Sequence, residues 1–258
     1  MPDNGKGQPG SSEKIVGILG GMGPEATIDL MQRILTNTPA LDDADHIRCI
    51  VDNNPKIPSR VQAILEEGGE NPGPCMAEMA RGLQNCGADF IVIPCNTAHE
   101  YYSYVTEAVD IPVVHLIDLV VDQVISMNPE VTTVGILGSN TIVKTKIYTT
   151  TFQARGVKAI YPDPERQEEL FQIICRVKRG ETREKIRQEF REIGKHLAGK
   201  GVDTAILGCT ELGIIAENMP ITVVDAADVL AREVVAVAKN RKAPHIESVS
   251  LDKGLADR

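Results

Sequence analysis

Short unbroken apolar runs alternate with stretches of helical periodicity along most of the chain. KIVGILGG (14–21) is an Ile/Val/Leu run closed by glycine, and ATIDLMQRILTNT after it spaces apolar residues three and four apart. HIRCIVDN (46–53) is a second short run. PCMAEMARGLQNCGA (74–88) has helical spacing, and DFIVIPC (89–95) reads as a buried strand. The alternation continues through IPVVHLI, VTTVGILGS, a helix and VKAIYP. It ends with a charged helix near 181–199, DTAILGC (203–209), ITVVD (221–225) and a last helix near 226–240. Continuous apolar runs between helices mark strands covered on both faces, the habit of parallel sheets. The pattern predicts a doubly wound α/β protein with right-handed crossovers.

The pattern also repeats. VGILGGMGPEAT (16–27) resembles VGILGSNTIVKT (134–145), GADFIVIPCNTAHE (87–100) resembles GVDTAILGCTELGI (201–214), and IPVVHLIDLV (111–120) resembles ITVVDAADVL (221–230). The order is the same in both copies. The offset shrinks from 118 residues at Gly17/Gly135 to 114 at Cys95/Cys209 and 110 at Val113/Val223, as small loop deletions would produce. Two quasi-equivalent lobes follow, each with one related site element.

Composition narrows the function. The 258 residues are 42% hydrophobic, enough for a real core, and carry a net charge of −9. That acidity argues against nucleic acid as a partner, and 3% aromatics without Trp argue against a stacking platform. No apolar run approaches the ~18 residues of a membrane span. Six scattered cysteines without a CxxC, and no export signal, predict free thiols in a cytoplasmic protein.

Ligands of open parallel sheets bind beyond the carboxyl ends of the strands, where helix N-termini also point. Cys95 and Cys209 both stand there, followed by Asn96-Thr97 and Thr210-Glu211, with Asn and Thr suited to capping. A helix N-terminus is expected to lower a thiol pKa from about 8.5 into a range of roughly 3.5–7.5. Disulfide exchange favours CxxC. A metal site built on Cys95, His99 and Cys209 lacks a fourth ligand, so no metal is expected. Proton shuttling explains the symmetry. Inverting a stereocentre takes a base on one face and an acid on the other, each sulfur ~3.5 Å from the carbon and the pair ~7 Å apart.

At this point the residues match a family. GILGGMGPEAT (17–27), NNPKIPSR (53–60), PCNTAHE (94–100) and LGCTELG (207–213) resemble the cofactor-independent aspartate/glutamate racemases, most closely their aspartate branch, over about residues 14–240. The resemblance implies racemisation of aspartate without PLP or other cofactor. It makes Cys95 and Cys209 the two catalytic bases, one thiolate and one thiol, exchanging roles between enantiomers. Glutamate or broader amino-acid racemisation by the same mechanism is one alternative, and a non-catalytic two-lobed amino-acid binding protein is another. It further implies a homodimer.

For the substrate, the N–H groups after each cysteine suit an α-carboxylate, with Asn96, Thr97 and Thr210 adding side-chain bonds. The family pattern places an Arg at the end of the 53–60 loop, here Arg60, and a Lys before a Gly, here Lys178, though Arg176 and Arg179 flank it. Both are expected to receive a side-chain carboxylate. Met22 and Gly23 are expected to line the pocket. His99, His115 and Glu211 are given no assigned role. A dehydrogenase reading of Gly21–Ala26 as GxGxxA is weak, because Asp42 and Asp43 precede the second strand and Pro24 removes an amide. The expected architecture is two pseudo-symmetric flavodoxin-like lobes with the active site between them. The first is 14–115 plus the last helix and its lead-in (223–242), the second is 116–222, and the tails 1–13 and 243–258 are loose.

Overall fold

The computed structural model describes residues 13–247. The expected tails therefore lie largely outside the described residues. Residues 243–247, expected to be loose, are instead tied down. His245 N donates to Glu233 Oε1 (3.0 Å) and its carbonyl accepts from His115 N (2.8 Å). These bonds satisfy backbone groups that water would otherwise have to serve.

The first lobe runs β1 (Val16–Gly20), α1 (Pro24–Asn37), β2 (Cys49–Asn53), α2 (Arg60–Leu65), α3 (Gly73–Asn85), β3 (Phe90–Val92) and α4 (Tyr102–Thr106). After α5 (Leu116–Met127) come β4 (Thr133–Leu137), α6 (Asn140–Thr145), α7 (Ile147–Gln153), β5 (Lys158–Ile160), α8 (Pro164–Val177), α9 (Glu184–Gly199), β6 (Thr204–Leu207), α10 (Thr210–Gly213), β7 (Thr222–Asp225) and α11 (Ala226–Ala238). Local chemistry sets several starts. Pro24 and Pro164 open α1 and α8 at the first helical positions, where a missing N–H costs nothing. His115 caps α5 through its side chain and Asp225 caps α11. These two residues occupy matching positions in the sequence repeat.

The sheets are parallel, ordered β2-β1-β3 and β5-β4-β6-β7. In the first lobe the fourth place is held by a single bridge, Ile91 to Val113. Ile91 N donates to Pro112 O and Val114 N to Ile91 O, but Pro112 has no donor to extend the ladder. Both lobes thus follow the order 2-1-3-4 that opens the flavodoxin-like arrangement. β7 is part of the second sheet, so the expected boundary at 222/223 cuts through a strand.

Alternation along the strands explains the core. Val16 and Ile18 of β1 and Val134 and Ile136 of β4 point into one cluster with Val120 and Val124 of α5 and Leu230 and Val234 of α11. That cluster joins the lobes. Separate clusters cover the outer faces, around Leu19, Met76 and Ile91 in one lobe and Leu137, Phe190 and Leu207 in the other. α11 packs on α1 and on α5. Arg33 of α1 meets Asp225 at the end of β7 (3.0 Å).

The turn after β1 is fixed by close approach. Gly21 has φ +96°, and a Cβ there would lie 2.2 Å from the Asn54 carbonyl oxygen. The backbone of the 54–60 loop rests directly on this glycine. Gly21→Ala combines a disfavoured φ with that clash and is expected to destabilise the fold by about 1–3 kcal/mol, read as a lowered urea midpoint.

Candidate active site

Cys95 and Cys209 stand just beyond the carboxyl ends of β3 and β6, the equivalent strands of the two sheets. Both are half-buried free thiols. Both line one cavity of about 120 Å³. Every residue expected to bind substrate lines it: Met22, Gly23, Arg60, Asn96 and Thr97 from the first lobe, Lys178 and Thr210 from the second, whereas His99 and His115 line another cavity. A larger cavity of about 470 Å³ lies among Tyr102, His115, Thr150 and Arg155 and contains neither cysteine.

The cavity walls are tied across the lobes. Asn96, expected to cap a helix or bind a ligand, donates from Nδ2 to Gly208 O (2.8 Å), and its Oδ1 accepts from Tyr148 Oη (2.5 Å). Its side-chain groups are thereby committed to the second lobe. Thr97 Oγ1 meets Thr141 Oγ1 (3.1 Å), which meets Ser139 Oγ (2.6 Å). Sequence reasoning missed Ser139 and Thr141, although both line the cavity. The repeat carried the signal: Thr141 matches Gly23 and Ser139 matches Gly21 when the two VGIL segments are aligned.

The thiol chemistry differs from expectation at Cys209. Burial pushes its pKa up to about 12, and the Glu211 carboxylate adds to the rise. Lys178 and a hydrogen bond from the Ser139 amide oppose it without prevailing. A helix N-terminus was expected to lower this value. However, α10 has only four residues, too few aligned peptides to offset desolvation. Cys209 therefore holds its proton at neutral pH and can act as an acid.

The cations differ in their partners. Arg60 lies at the start of α2, whose cap is Ser59 Oγ accepting from Gln62 N (3.3 Å). Its Nη1 donates to Pro58 O (3.2 Å), while its Nε is buried without a partner. Among the described residues no carboxylate pairs with it. A buried N–H of this kind is costly to leave unmade, about 1–3 kcal/mol. Lys178 Nζ lies 3.6 Å from Glu211 Oε1. Burial works against its charge, but Glu211, then Cys209 and Cys95, outweigh burial and hold its pKa above the ordinary lysine value. Arg176 is occupied by Glu181 and Glu189, which leaves Lys178 as the cation of VKRG on the cavity wall.

His99 is no metal ligand. Its Nε2 accepts from Leu116 N (3.0 Å), so its Nδ1 carries the hydrogen and donates to Cys95 O (2.9 Å). Burial, with His115 nearby, holds its pKa down to about 3, so it is neutral and fixes the peptide that carries Cys95. Among the described residues no three His, Cys, Asp or Glu side chains gather as a metal site. No helix among them is long and apolar enough to cross a membrane.

Residues 19–234 match the model of the Asp/Glu/hydantoin racemase family. The solved aspartate racemase of Picrophilus torridus is 29% identical at a TM-score of 0.74, over 87% of this chain and 94% of that one. An aspartate racemase homologue from Pyrococcus horikoshii OT3 is 26% identical at a TM-score of 0.73, over 88% and 99%. The broad specificity amino-acid racemase RacX of Bacillus subtilis (strain 168) is 25% identical over 231 residues, 86% of this chain and 96% of its own length.

The raised Cys209 pKa has a direct chemical readout. Alkylation needs the thiolate, so iodoacetamide labelling of Cys209 in the native protein should be slow at pH 8 and accelerate only as pH approaches the upper end of the stable range. Exposed Cys86 should label first. Peptide mass mapping across a pH series measures this, and equal rates at pH 8 would contradict the burial argument.

Proposed function

The chain belongs to the Asp/Glu/hydantoin racemase family and is an amino-acid racemase, an isomerase; from that premise we propose that it interconverts L- and D-aspartate by proton transfer between Cys95, Cys209 and Cα. The observation that carries this reading is the pair of thiols from opposite lobes on one cavity, beside an Arg60 without a carboxylate partner.

In the proposed cycle the α-carboxylate sits on the amides that follow the two cysteines, with the Thr97 hydroxyl. The side-chain carboxylate takes Arg60 and Lys178. In the state where Cys209 holds its proton, the Cys95 thiolate removes the Cα hydrogen. The electron pair of that C–H bond stays on Cα and spreads into the α-carboxylate. Cys209 then delivers its proton to the opposite face, and the new C–H bond forms with inverted configuration. The thiols end with protonation exchanged, which is the state required for the reverse enantiomer. Fixed amide dipoles in a small cavity stabilise the developing charge. No PLP takes part in this scheme. The high Cys209 pKa favours its role as acid and makes its turn as base the harder one, relieved when the bound substrate shields Glu211.

Two cations lining one cavity, one from each lobe, favour an acidic side chain. A broader substrate range is the second reading, favoured by the match to RacX, because one methylene discriminates by only about 1–3 kcal/mol. A cytoplasmic homodimer belongs to the same reading and rests on family membership alone.

Purified protein in deuterated buffer, with no PLP or metal added, should exchange the α-hydrogen of L- and D-aspartate and racemise both. Cys95→Ser and Cys209→Ser should each abolish racemisation, by at least about 10³-fold, with the circular dichroism spectrum unchanged. Residual exchange confined to one enantiomer assigns the remaining cysteine to that face. Full activity in either variant removes that residue from the mechanism.

A further inference from the structure

The charges on the cavity wall are unequal in number and sign. Arg60 and Lys178 are cations, and Glu211 is the one acidic residue lining the cavity among the described residues. Aspartate carries the complementary set: two carboxylates and one ammonium. The two cations account for anionic groups only. Moving an ammonium group from water into a small cavity without a counter-charge is strongly unfavourable.

Glu211 has the capacity to receive it. Its side chain is 17% exposed. Oε1 lies 3.6 Å from Lys178 Nζ, beyond ordinary hydrogen-bond length, and the closest side-chain contact of Oε2 is Thr210 Oγ1 at 3.5 Å. Both oxygens retain acceptor capacity. The residue lies two positions after Cys209, so a group held there sits on the Cys209 side of the reacting carbon. We propose that Glu211 is the acceptor for the substrate α-ammonium group. The assignment rests on the racemase reading and refines it. It also serves the chemistry. A nearby carboxylate keeps the amine protonated, and a positive α-nitrogen draws electron density from Cα and makes its hydrogen more acidic. On binding, the ammonium takes the place of Lys178 beside Glu211 and leaves Lys178 for the substrate's side-chain carboxylate.

Calorimetric titration with L-aspartate and with succinate, the same dicarboxylate lacking the amine, separates this role from a structural one. In Glu211→Gln the affinity for L-aspartate should fall roughly 10–100-fold, the worth of one charged hydrogen bond. The affinity for succinate should hold or rise, because only the ammonium loses its partner. Glu211→Asp, which keeps the charge, should recover part of the preference for aspartate. Parallel loss of both ligands, or unchanged aspartate binding, overturns the assignment. Wild-type protein that binds succinate and aspartate equally well also overturns it. Wild-type protein that binds neither overturns the substrate reading itself, and the assignment with it.

Discussion

The molecule depends on one side chain that belongs to both halves. Asn96 follows Cys95 in the first lobe and is hydrogen-bonded through both ends of its amide to Gly208 and Tyr148 of the second. Gly208 immediately precedes Cys209. A single planar amide therefore sets how far apart the two strand ends stand, and with them the two sulfurs. The geometry is sharp because every participating group is buried and each would be left unsatisfied by a shift. His99 supports it from behind, holding the Cys95 carbonyl through one nitrogen and the Leu116 amide through the other. The arrangement is rigid at the thiols for reasons that have nothing to do with the thiols themselves.

Symmetry of the backbone is not matched by symmetry of the electrostatics. The two cysteines occupy equivalent places in duplicated lobes, yet Cys209 has Glu211 two residues on and Cys95 has Thr97. Burial and that carboxylate keep Cys209 protonated. A fold made twice can hold two identical atoms while the sequence around them gives the atoms different work.

The lobes, strand positions and cysteine placement were legible because they rest on period and repetition. Apolar runs ended by Gly or Cys marked strand ends, and three ordered repeats marked the halves. Arg60 was legible through the family resemblance of its 53–60 loop, and its unpaired Nε agrees with a residue that has room for an anion. Other features were not legible. The IPVV segment has the composition of a strand, but Pro112 restricts it to a bridge. The Asn96 side chain looked available, and only the packed structure reveals that it spans the cleft. The Cys209 thiol depends on desolvation, a property of the assembled cavity that no spacing encodes. Thr141 was within reach, because the repeat pairs it with Gly23, whose pocket role was expected; Ser139 pairs with Gly21, which was given no pocket role.

The shared core has a bearing on traffic. Prising the lobes apart would bring Val120, Val124, Leu230 and Val234 toward water, at about 1.5–3 kcal/mol for each side chain fully exposed. The α2 segment has no buried residue and is moored to the far lobe by a Lys144 Nζ bond to Ile64 O (2.6 Å). Unhooking that short helix is by far the less expensive motion. On the proposed reading, molecules would then enter and depart past the Arg60 guanidinium on the cavity lining, so a tighter grip there would slow departure as well as sharpen choice.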